Sequence, residues 1–190
     1  VIIANAMGEF LKHTDMRGAE DLSAGIAWIC TFAYAFQIYF DFSGYSDMAL
    51  GLGKMVGFRL PENFNNPYIA NSITDFWRRW HITLGNWMRN YLYIPLGGNR
   101  VSLERMYFNL WLVFLLSGLW HGAAWNFVLC GAWHGLFLVI ERAFLLKLYE
   151  KIPNIFRVGI TFLVVIVGWT FFRIESLPKL WFTLKAMFGA

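Results

Sequence analysis

Phe108–Gly135 reads FNLWLVFLLSGLWHGAAWNFVLCGAWHG. With its flanks, from Met106 to Ile140, the run contains no Asp, Glu, Lys or Arg. An apolar run above about 18 residues is long enough to span a bilayer. Two histidines interrupt it, His121 and His134, each inside a Trp-His-Gly triplet. A titratable side chain in such a run is costly to bury and marks a candidate functional site. The two are 13 positions apart, which on one helix is about 20 Å of rise and roughly 140° of rotation. On a single helix they could not share a proton or a metal ion. One helix over the whole run would be about 50 Å long, against a hydrocarbon core of about 30 Å. Gly118, Gly122, Gly131 and Gly135 permit a break or close helix packing. The pattern predicts two packed segments, or one kinked and tilted helix, with His121 near mid-depth.

Outside this run the chain keeps the same character. Its 190 residues are 58% hydrophobic and 15% charged, where soluble domains carry about 25% charge. This predicts an all-α, multi-spanning membrane protein with interfacial amphipathic and re-entrant helices. The formal charge of +4 is spread out; no basic run is dense enough for nucleic acid. Cys30 and Cys130 lie in apolar runs and read as inert buried thiols. The ends at Val1 and Ala190 carry neither an initiator Met nor a charged tail. Residues 1–190 are therefore expected to be a single partial membrane domain lacking further N-terminal and C-terminal spans.

Val1–Asp21 is mixed in charge, and His13 reads as a solvated loop residue. Leu22–Phe40 is charge-free and long enough for a first span. Asp41–Phe58 is rich in glycine and small residues, which suits a closely packed or re-entrant segment. Its Asp41 and Asp47 read either as rim residues or as lining a substrate path. Ser72-x-x-Asp75 reads as a capping box opening a helix. Along that helix Trp77, Trp80, Leu84, Trp87, Met88 and Tyr91 form an apolar stripe, with Arg78, Arg79 and Arg89 off it. Such a basic amphipathic helix belongs at a membrane interface. His81 sits at the edge of the stripe.

Charge asymmetry places the Arg-rich connection from Asp41 to Arg105 in the cytoplasm and Val1–Asp21 outside. Glu141–Arg157 reads as a second basic loop on the inner side, Val158–Phe172 as the core of a further span, and Leu177–Phe188 as interfacial.

The sequence lacks GxSxG, HExxH and CxxC, so neither a serine hydrolase nor a zinc site is signalled, and no metal is expected. A neutral imidazole in an apolar segment remains. It can take the proton of a hydroxyl attacking an acyl carbon. Trp120, Trp125 and Asn126 are candidates to line that passage and exclude water. Residue chemistry alone leaves two other readings of His121 open: a hydrogen-bonded core histidine, and a station on a transport path.

Three elements narrow the choice: IYFDFSGYSDMALGLGKMVGFRLPENFNNPY, SITDFWRRWHITLGNWMRNYLYIPLGGNR and SGLWHGAAWNFVLCGAWHG. In this order they resemble the membrane-bound O-acyltransferase (MBOAT) family, most of all its bacterial alginate-acetylating branch, from about Tyr39 to Arg173. The resemblance implies that His121, in the LWHG element, is the essential histidine. His81, in RRWH, matches a second characteristic polar position, with Arg78 and Arg79 beside it. His134 matches a less diagnostic one. The implied reaction passes an acetyl group from a cytoplasmic-side donor to a hydroxyl of a secreted polysaccharide. No cofactor is held, and the donor is acetyl-CoA or an acylated carrier. The implied partners are the lipid bilayer, the polysaccharide acceptor and periplasmic acetylation or export proteins. The implied place is the bacterial inner membrane, crossed several times. Competing expectations are D-alanyl or other acyl transfer to an envelope polymer, a histidine-relay transporter, and a non-enzymatic membrane scaffold of an export complex.

Overall fold

The computed structural model describes residues 2–15 and 22–189. Arg17, Glu20 and Asp21 of the N-terminal charge pattern lie outside the described residues, as does the side chain of Asp15. Every regular element among the described residues is a helix. The chain forms two compact units, Val1–Leu60 with Trp169–Ala190, and Pro61–Gly168.

The first unit contains α1 (Ile2–Asp15), α2 (Ala24–Met55), the end of α8 and α9 (Leu177–Phe188). Ser23 starts α2 by accepting the Ile26 N–H at 3.4 Å. The expected first span and the expected re-entrant segment prove to be one helix of 32 residues, about 48 Å long. The glycines do not break it: a lone helical glycine costs only about 1 kcal/mol, and Gly44 and Gly51 face open space. Asp41 and Asp47 stay exposed on its surface. The stop comes at Gly57, whose φ of 87° lets the Phe58 and Gly57 amides turn back onto the Gly53 and Lys54 carbonyls at 2.8 and 3.2 Å. Across the unit, Trp28 Nε1 donates to the Met187 carbonyl at 2.9 Å, and the Thr31 and Thr170 hydroxyls meet at 3.1 Å.

The second unit contains α3 (Ile73–Arg79), α4 (Ile82–Met88) with a π turn at Arg89–Tyr93, α5 (Leu103–His121), and α6 (Trp125–Ile140). A second π turn, Glu141–Leu145, carries α6 into α7 (Leu146–Tyr149), and α8 (Asn154–Arg173) begins here. The central run is two packed segments, as expected, broken after His121. A Cβ on Gly118 would collide with the Phe127 carbonyl, and one on Gly131 with the Phe114 carbonyl. These reciprocal contacts make α5 and α6 an antiparallel pair whose backbones touch.

Two readings are corrected. The helix expected from Ser72 to Tyr91 breaks at Trp80 and His81. Its stripe divides accordingly: Trp80 and Met88 are buried, whereas Trp87 and Tyr91 are exposed. The basic loop expected over Glu141–Arg157 is helical as far as Tyr149, because Glu141 is buried and its carboxylate is fully bonded from α3. Two helical stretches among the described residues, Trp125–Tyr149 and Asn154–Arg173, are long and apolar enough to cross a membrane. The expected first span, Leu22–Phe40, is helical from Ala24 onward but not among them.

Candidate active site

The site starts with how α3 begins. Ser72 Oγ accepts the Asp75 N–H at 3.0 Å, half of the predicted capping box. The other half is not made. Asp75 instead takes Arg79 Nε through both carboxylate oxygens at 3.0 Å, and Arg79 also reaches the Asn65 carbonyl at 3.4 Å. Arg79 is thus a local brace. Arg78, one residue earlier, faces a cavity.

His81 follows at the break. Its φ of 46° and ψ of 54° place it in the left-handed region, an uncommon and strained state for a residue with a Cβ. Asn63 holds it there. The Asn63 Oδ1 accepts the Thr83 N–H at 3.1 Å and the Thr83 hydroxyl at 3.0 Å, and lies 3.1 Å from His81 Nδ1. An oxygen already accepting from a backbone amide takes a proton from the ring as well. Nδ1 is therefore the N–H donor, and Nε2 is the basic nitrogen of neutral His81. Burial, and the repulsion of a charge on nearby His121, push the His81 pKa down from 6.5 to about 4. The ring is neutral at pH 7.

His81 lines an open-sided cavity of about 450 Å³. One wall comes from α3 and α4, with Arg78, His81 and Asn86; another from α5, with Leu110, Phe114 and Ser117. The two π turns supply Arg89 with Tyr93, and Arg142. π turns recur where a helix must redirect a functional side chain. Arg142 Nη1 donates to Asn99 Oδ1 at 3.0 Å and to the Tyr93 hydroxyl at 3.3 Å, and that hydroxyl donates to Asn99 Oδ1 at 2.6 Å. Three guanidiniums reach the cavity and no carboxylate lines it. With His81 neutral, such a surface favours an anion, and guanidinium geometry suits phosphate.

His121 closes α5. Its Nδ1 lies 2.7 Å from the Ser117 carbonyl, so Nδ1–H donates and Nε2 is again the basic nitrogen. Ser117 itself lines the cavity, and the charge coupling to His81 puts the two imidazoles in one neighbourhood. His121 was expected buried at mid-depth. It is exposed on the described residues, with Trp120 packed on it edge-on at 5.1 Å. Trp120 and Trp125, expected as walls, are 63% and 69% exposed. The hairpin turns between them, which puts both at its end.

Of the sequence candidates Arg78 and His81 line the cavity, and His121, Trp120 and Trp125 do not; two further candidates are buried elsewhere. His134 is 1% exposed, edge-on to Trp77 at 4.9 Å, with its Nε2 where a Cβ on Gly168 would sit. It packs α6 against α3 and α8. Asn126 is fully buried near the start of α6. Sequence reasoning missed Asn63, Arg89, Tyr93, Asn99, Arg142 and Glu141 as site residues. In the sequence Arg89 reads as the polar face of an amphipathic helix and Arg142 as part of a basic loop, and neither asparagine stands in a catalytic motif.

A profile of the membrane-bound O-acyltransferase family matches residues 9–176. The chain belongs to the membrane-bound O-acyltransferase family. It is 51% identical to a probable alginate O-acetylase of Pseudomonas aeruginosa, over all of this chain and 36% of the relative. It is 49% identical to a peptidoglycan O-acetyltransferase of Helicobacter pylori, again over all of this chain and 36% of the relative. A teichoic acid D-alanyltransferase of Bacillus subtilis is 36% identical over 52% of this chain. The chain thus spans about a third of the length of these acetyltransferase relatives. Within the family, the chain holds an arginine-lined cavity and a pair of imidazoles, each with its tautomer fixed.

Proposed function

We propose that the full-length protein carrying this chain transfers an acetyl group from a phosphate-bearing thioester to hydroxyls of an extracellular or envelope polysaccharide. The observation that carries this reading is the cavity lined by three arginines and, among the described residues, by no carboxylate, whose wall includes Ser117, the residue whose carbonyl His121 Nδ1 meets at 2.7 Å. Acetyl-CoA and an acetylated phosphopantetheine carrier share the phosphate and the thioester. The relatives similar over the whole chain are named for acetyl transfer to alginate and peptidoglycan, which favours acetyl over D-alanyl.

The balance of the step is simple. His121 Nε2 takes the hydroxyl proton as the oxygen attacks the thioester carbonyl. The C–O bond forms, the C–S bond breaks, and the imidazolium returns the proton to the departing thiolate. Arg78, Arg89 and Arg142 hold the phosphates. His81, neutral and half-buried, orients the donor at the cavity. The reading places the protein in the bacterial inner membrane as a multi-pass enzyme, with the donor on the cytoplasmic side and periplasmic proteins carrying the acetylated polymer onward. A proton-relay transporter is disfavoured by Glu141. This charge buried in an apolar helix is committed to α3 amides rather than to a chain of titratable groups.

The test is the acetyl content of the secreted or envelope polysaccharide in cells making full-length His121→Ala protein at normal abundance. Loss of at least about a hundredfold, the usual scale of a missing acid–base group, supports the reading. Wild-type acetylation would refute it.

A further inference from the structure

Glu141 is 0% exposed, at the π turn that ends the apolar part of α6. A buried carboxylate persists only where donors satisfy it. Three converge here, all from the first two residues of α3: the Ile73 N–H, the Thr74 N–H at 3.0 Å and the Thr74 hydroxyl at 2.5 Å. An ionised carboxyl is an acceptor only, so its oxygens match these donors. Helix α3 has seven residues, too few to hold a direction by its own hydrogen bonds. Its packing through Trp77 on His134 holds its middle, and Glu141 holds its first turn. Four residues beyond Thr74 is Arg78, and two residues past the helix end, at the start of α4, is His81, both on the cavity. The next residue of the same π turn, Arg142, bonds two other residues of the cavity lining, Asn99 and Tyr93. Adjacent residues of one wide turn thus grip separate parts of the cavity's frame.

We propose that Glu141 is a positioning residue for the acyl donor. It aims α3 so that Arg78 and His81 stand at a fixed distance from Arg142. Glu141 does not touch the donor; it acts through α3. The proposal rests on the acyl-transfer reading of the cavity, and its test is built to fail separately from that reading.

The experiment uses the full-length protein with Glu141→Gln, a substitution of equal size. One terminal atom becomes an N–H donor facing an amide N–H, so the grip is lost without a cavity. Expected are a rise of at least tenfold in KM for acetyl-CoA or an acetylated carrier protein, kcat within about threefold, and amides of Ile73 and Thr74 exchanging at least tenfold faster, a factor that corresponds to about 1.4 kcal/mol. Thr74→Val moves the same quantities less, and Thr74→Ser restores them. A KM within twofold of wild type, with only yield or melting temperature reduced, reduces Glu141 to a fold-holding role and overturns the proposal. Unchanged exchange at Ile73 and Thr74 overturns it as well. If the wild-type protein transfers no acetyl group from either donor, the acyl-transfer reading has failed. The positioning role is then decided by exchange together with equilibrium binding of acetyl-CoA, which Glu141→Gln weakens at least tenfold if it is right.

Discussion

Asn63→Asp exchanges one acceptor group for another of the same shape and adds a negative charge. The oxygen concerned lies 3.1 Å from His81 Nδ1 and also takes the Thr83 amide and hydroxyl. His81 titrates near 4, below its ordinary 6.5, because burial and His121 both disfavour the imidazolium. An opposite charge at this range moves a pKa by about 1–3 units, so the variant imidazole titrates at about 5–7. The sign follows from proton linkage. With the folded pKa lowered, the unfolded chain takes the proton first as pH falls. The stability supplied by the neutral ring is complete above pH 6.5 and is lost as pH falls from 6.5 to about 4. In Asn63→Asp that window narrows or closes. The assay is the melting temperature of the purified full-length protein at steps from pH 7.5 to 4, beside wild type and Asn63→Ala. The alanine variant forfeits three hydrogen bonds at about 1 kcal/mol each and is destabilised by about 2–3 kcal/mol at every pH. The same fall in melting temperature between pH 6.5 and 4 for wild type and Asn63→Asp would refute the account of His81.

Gly131→Ala drives a methyl into the Phe114 backbone and should cost about 1–3 kcal/mol of stability by overpacking. Gly44→Ala, with open space around it, should gain about 0.5–1 kcal/mol in helix stability; thermal melts of both in the full-length protein check the contrast. Arg89→Ala removes one of three guanidiniums from the cavity and should raise donor KM about tenfold, the loss of one charge-assisted bond. Because Arg89 is exposed, that penalty should shrink in high salt, which steady-state kinetics at two ionic strengths would read.

Hydrophobic spacing and glycine placement were enough to read the α5–α6 hairpin, since an uncharged run of that length has to fold back and Gly118 and Gly131 permit contact. Ser72 was legible as a cap because its bond is local. What stayed hidden depends on partners far along the chain. Asn63 governs His81 from 18 residues away, and Glu141 grips α3 across 67 and 68 residues. No periodicity reports such pairs. The break at His81 was invisible for the same reason: an apolar stripe continues through it, and the left-handed backbone that interrupts it is stabilised by Asn63, 18 residues earlier. Burial of His121 was expected from the apolar run, but the run turns beside it. The full burial falls to His134 instead, which packs against Trp77 and Gly168.

The wide turn at Glu141–Leu145 holds one more residue than an α-helical turn of the same rise. Deleting any single residue within it would let the ordinary ladder close, with no hydrogen bond lost. Everything beyond would keep its place, because four α-helical residues turn and rise about as far as the five of the wide turn. Tyr149, now 2% exposed, would keep its packing. A length change of one amino acid at this point therefore spares the chain's continuation and falls on the aim of Glu141 and Arg142 alone.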